Sequence, residues 1–68
     1  MTVEFIGTAA GEVWKALNEG DVLSTKQIKK ITKLKDKEIF AAIGWLAREG
    51  KVSVQPTEDE KDILVALI

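Results

Sequence analysis

Residues 23–52, LSTKQIKKITKLKDKEIFAAIGWLAREGKV, decide the fold of this chain. Ser24-Thr25-Lys26-Gln27 carries a capping-box pattern, serine at the cap and glutamine three residues later, and predicts a helix over 25–32. Leu34 falls in a tight turn, and a second helix is predicted over 36–49, with Asp36 favourable at its positive end. At about 100° per residue, Ile39, Ala42, Ile43 and Leu46 line one side of that helix. Lys37, Ala41, Gly44 and Arg48 line the other, flanked by Phe40 and Trp45. Gly50 is a natural stop, after which Lys51-Val52-Ser53-Val54-Gln55 alternates polar and apolar as a half-buried strand does. The order is helix, turn, helix, strand.

On the N-terminal side, Ile6, Ala10, Val13, Trp14 and Leu17 share one helical face and predict a helix over 8–19. Thr8 would cap it, Ile6 would staple it, Trp14 would lie in the core, and Gly20 would supply the left-handed stop. Asp21-Val22-Leu23 is a short extended link. On the C-terminal side, 56–62 is a polar turn and 63–68 a second strand, closing a hairpin. Ile63, Val65 and Leu67 face one way and Leu64, Ala66 and Ile68 the other, so both faces are apolar. Either the segment 3–5 or another subunit is expected to cover the second face. An apolar strand ending the chain also invites edge pairing, hence homodimerisation. No repeat or linker interrupts the chain, which reads as one domain over 1–68.

Composition excludes several kinds of chemistry. With no cysteine and no histidine among 68 residues, the usual thiolate and imidazole metal ligands and the usual general base are missing, so neither metal nor cofactor is expected. Glu58, Asp59 and Glu60 sit together in a solvated turn, and Gly7 and Gly11 lack the rest of any phosphate-binding loop; the chain is not expected to be an enzyme. No apolar run approaches the roughly 20 residues needed to span a bilayer, and no basic patch precedes the first apolar residues. No membrane association is expected, and the expected location is the cytoplasm.

The net charge of −1 conceals an asymmetry. Six lysines (26, 29, 30, 33, 35 and 37) stand against Asp36 alone, whereas the rest of the chain holds four basic and ten acidic residues. On the predicted 25–32 helix, Ile28 and Ile31 point one way while Lys26, Lys29, Lys30 and Lys33 recur on the opposite side. Such a ridge either pairs with phosphates or solvates the outer face of a small helix.

These residues resemble the winged helix-turn-helix superfamily, and the likeness spans nearly the whole chain. It is carried by Leu23-Ser24-Thr25-Lys26-Gln27-Ile28, then Leu34, then residues 39–52, where Ala42 to Val52 is similar to a recognition helix turning into its wing. More narrowly, the chain resembles a family of small, uncharacterised bacterial and archaeal winged-helix proteins. The resemblance implies an α+β fold of three helices with a two- or three-stranded β-wing. In DNA-binding members the third helix enters the major groove, which by position would make Lys37, Ala41, Gly44 and Arg48 the groove-facing set. Three features depart from that pattern. Ala41 and Gly44 have no groups with which to read base edges. The wing tip, Glu58-Asp59-Glu60-Lys61-Asp62, is acidic and repels phosphate. Lys33 occupies a turn position where these motifs often carry glycine.

Two functions follow as expectations. The first is a regulator-like module that grips the backbone of double-stranded DNA through Lys26, Lys29, Lys30, Lys33, Lys35 and Lys37, with Arg48 in support. The alternative is a protein-interaction or homodimerisation module using Phe40, Ala41, Gly44, Trp45 and Ile68. Phe40 and Trp45 either fold back against the second helix or the wing or, Trp45 above all, anchor a partner.

Overall fold

A computed structural model describes residues 1–68. The order of elements is α1 (Val3–Gly20), β1 (Val22–Ser24), α2 (Thr25–Thr32), α3 (Asp36–Arg48), β2 (Val52–Pro56) and β3 (Ile63–Leu67). Three helices pack on a three-stranded antiparallel sheet of order β1-β3-β2, the α+β winged arrangement.

The first helix begins earlier than its apolar pattern suggests. Thr2, not Thr8, is the cap: its Oγ1 accepts from the Phe5 N–H at 3.0 Å. Thr8 lies inside the helix and donates its hydroxyl to the Glu4 carbonyl, so no staple forms at Ile6. The stop also differs. Gly20 remains helical and Asp21 takes the positive φ of 65°, its N–H bonded to the Leu17 carbonyl at 2.9 Å. Gly20 serves packing instead, because a Cβ there would stand 2.9 Å from the Leu23 side chain.

The buried face of α1 is Ala9, Ala10, Val13, Ala16 and Leu17. It is turned by about 45° from the expected face, toward Ala9 and Ala16 and away from Trp14, and its alanines let α3 approach closely. Trp14 lies one residue past Val13, about 100° around the helix, and is therefore 41 % exposed on the rim rather than in the core.

For α2 the capping box is present as read. The Gln27 N–H donates to Ser24 Oγ at 3.2 Å, and the Ser24 N–H donates to Gln27 Oε1 at 2.8 Å. The two isoleucines, however, part company. Ile28 is fully buried, while Ile31 is 55 % exposed. The buried face runs through Thr25, Ile28 and Thr32, and Ile31 sits roughly 90° from its centre. Lys33 ends α2 in the left-handed region (φ 64°), its N–H bonded to the Lys29 carbonyl at 2.8 Å.

Helix α3 is continuous and buries Ile39, Ala42, Ile43 and Leu46. Its start is half a capping box: the Lys35 N–H donates to Glu38 Oε1 at 2.8 Å, but a lysine side chain has no acceptor to return. Its end is a Schellman motif. Gly50 (φ 73°) donates to the Ala47 carbonyl and Lys51 to the Leu46 carbonyl, each at 3.0 Å.

β3 is the central strand, so the expected exposed edge at the C-terminus does not exist: β1 pairs on one side and β2 on the other. In the row Leu23, Val65, Val54 the first two are buried against the helices while Val54, on the edge strand, is 41 % exposed; the row Ser24, Leu64, Gln55 faces away. Residues 3–5 form the first turn of α1 and do not cover that outer face, where a shallow depression is lined by strand residues alone.

Two stability outcomes are expected. Ser24→Ala removes the acceptor for the Gln27 N–H and should cost about 1 kcal/mol in urea unfolding. Lys33→Gly relieves the left-handed strain and should add about 1 kcal/mol in the same assay.

Candidate nucleic-acid interface

The six lysines of residues 26–37 fall on α2, the turn and the start of α3, and all six are exposed. They are not equivalent. Lys26 Nζ lies 3.3 Å from Asp59 Oδ2, and Lys29 Nζ lies 3.1 Å from Asp36 Oδ1. Lys30, Lys33, Lys35 and Lys37 have no carboxylate within the 4.0 Å that defines an ion pair. These four flank the turn that leads into α3. Arg48 is not with them: eleven residues along the same helix separate it from Lys37 by about 16 Å.

The pairing of Lys26 follows from the wing, whose tip folds back onto the start of α2. Asp62 Oδ1 accepts from the Thr25 N–H at 2.9 Å and from the Thr25 hydroxyl, and also takes the Ile63 N–H at 2.9 Å. A carboxylate there faces the positive end of the α2 dipole. The Thr25 hydroxyl, followed by the Thr25 and Ile63 N–H groups and the charge of Lys26, holds the Asp62 carboxyl below its ordinary range against an opposing desolvation effect. Asp59 is lowered too, first by the Lys61 N–H, which donates to its Oδ1 at 2.9 Å, and then by Lys26.

Phe40, 43 % exposed, stands at the mouth of the cleft between the α2–α3 unit and the wing tip, among Lys26, Lys29, Asp36, Asp59 and Lys61. Trp45, 36 % exposed, turns the other way. It packs on α1, where a Cβ added at Gly7 would lie 3.8 Å from its ring, and not on α2 or the wing as expected. Ala41 is half-buried, whereas Gly44 is exposed between the two aromatics; Ile68 is exposed beyond β3.

Two features of this surface escaped the sequence reading. The Asp62–Thr25 contact joins residues 37 apart and leaves no local signal. The grouping of Trp14 and Trp45 around Gly7 and Gly11 becomes readable only once α1 is known to start at Val3. No group of three acidic residues is placed to hold a metal ion, and no helix is long and apolar enough to cross a membrane.

Fold and surface together define a winged helix-turn-helix domain. The chain belongs to the winged helix-turn-helix domain family DUF2582, whose model matches residues 1–67. It is similar to protein BT2368 from Bacteroides thetaiotaomicron, known from a solution NMR structure, at 34% sequence identity and a TM-score of 0.80, over 98% of this chain and 79% of that one. No curated protein matches it.

The depressed Asp59 and Asp62 carboxyls give the acid limb of stability a definite sign. Their contribution is full above the unfolded carboxylate value, near pH 4, and is lost as pH falls through the still lower folded values. Asp62→Asn should lower Tm at neutral pH and flatten its decline below about pH 4. Thermal melts across that range check both effects.

Proposed function

We propose that this domain binds double-stranded DNA as a regulator-like module, chiefly through the phosphate backbone and with little discrimination among sequences. One observation carries the reading: Lys30, Lys33, Lys35 and Lys37 flank the turn before α3 with no internal counter-charge. Lys26 and Lys29 already have carboxylate partners and contribute less. Arg48, at the far end of α3, serves as a separate contact. Ala41 and Gly44 offer no base-reading groups, and the acidic wing tip is drawn toward α2 instead of reaching for phosphate.

A second reading, protein docking through Phe40, Ala41, Gly44, Trp45 and Ile68, is favoured by the exposed ring of Phe40 beside the small residues of α3.

Titration of a short duplex at several salt concentrations separates the two. Four phosphate contacts correspond to a slope of log affinity on log salt of about −4, and each Lys→Ala change among the four should reduce the slope by about 1. No binding at low salt would rule out the DNA reading and leave docking. Where the duplex binds, Lys33→Gly should weaken that binding while stabilising the fold, separating the role of the charge from that of the backbone.

A further inference from the structure

An uncharged stripe runs along α1. Val3, Gly7, Gly11, Trp14 and Asn18 fall within a sector of about 80°, whereas Glu4, Lys15, Glu19 and Glu12 occupy the sector beside it. Gly7 and Gly11 make this side of the helix a trough. A Cβ at Gly11 would meet nothing within 4 Å. Trp14 stands at one end of the trough and Trp45 on its flank, both part-exposed, and the rim near Leu46 is closed by Glu49 and Lys51, which pair with each other at 3.7 Å. The face therefore presents two indoles and bare helix backbone with no net charge.

We propose that a second copy of this chain fills the trough, the two α1 helices packing antiparallel about a two-fold axis. The stripe carries both a projection and a hollow, which is what a two-fold contact requires of a single surface. Helical side chains lean toward the N-terminus of their own helix. In the antiparallel pair, Trp14 of each copy thus reaches back over the Gly7–Gly11 trough of the other.

Charge selects the same arrangement. Glu4 and Lys15 share one rim of the stripe near its two ends, and neither has an ion-pair partner within the chain. An antiparallel crossing centred between residues 9 and 10 brings Glu4 of one copy beside Lys15 of the other, twice. In a parallel pair the two stripes meet in register, and no Glu4–Lys15 contact forms. The stripe includes no lysine of residues 26–37, so dimerisation stands independently of the DNA reading.

Sedimentation equilibrium of the full chain tests the proposal. A concentration-dependent dimer is expected. Glu4→Lys or Lys15→Glu alone should weaken it about tenfold, since each converts two attractive contacts into repulsive ones, and the double reversal should restore it. Gly11→Gln, which has open space around it, should abolish the dimer while leaving the helical circular dichroism intact. A chain that stays monomeric at every concentration overturns the proposal. So does a dimer that is indifferent to both single reversals, or one that the double reversal fails to restore.

Discussion

The structure turns on one buried residue of a short helix. Ile28 is the only apolar side chain that α2 places fully in the core, where it joins Ile39 of α3, Val65 of β3, and Val13 and Leu17 of α1. An eight-residue helix is too short to persist on its own in water, so tertiary contacts must hold it. Ile28 anchors its middle. The Ser24–Gln27 box and the Asp62 carboxylate satisfy its N-terminus, and the left-handed Lys33 turns the chain into α3. Every candidate functional lysine takes its position from that arrangement.

The wing changes the meaning of the charge count. Read along the chain, residues 26–37 are a strongly basic island and 58–62 a separate acidic one. In three dimensions the two meet, and Lys26 is compensated by Asp59 while Lys29 is compensated from within the island by Asp36. Exposed pairs of this kind add little to stability. Their effect is on availability, since they divide six similar lysines into two with partners and four without. The basic surface is accordingly concentrated at the turn before α3.

The same geometry explains where the aromatics go. On a wheel centred on its core residues, α3 has Phe40 and Trp45 on opposite flanks. Alanines on α1 draw that helix against one flank, and Gly7 leaves room there for the Trp45 ring. No comparable surface lies opposite Phe40, so its ring remains at the mouth of the wing cleft. Close approach by small residues, rather than aromatic character, decides which ring packs against a neighbouring helix, although both rings stay partly exposed.

The amino-acid sequence determined the elements whose causes are local. The box at Ser24, the stripe of Ile39, Ala42, Ile43 and Leu46, the stop at Gly50 and the alternation after it were all legible, because caps, helical periodicity and glycine stops act within a few residues. Together they establish the winged architecture. Tertiary structure alone decided that Ile31 and Trp14 lie outside, that β3 is flanked on both sides, and that Asp62 reaches Thr25. Each of these depends on which neighbour arrives from a distant part of the chain. Periodicity finds that an apolar face exists but not its final direction. The buried faces of α1 and α2 are turned by about 45° and about 60° from those their apolar residues outline, because the neighbouring helices and strands choose which side packs.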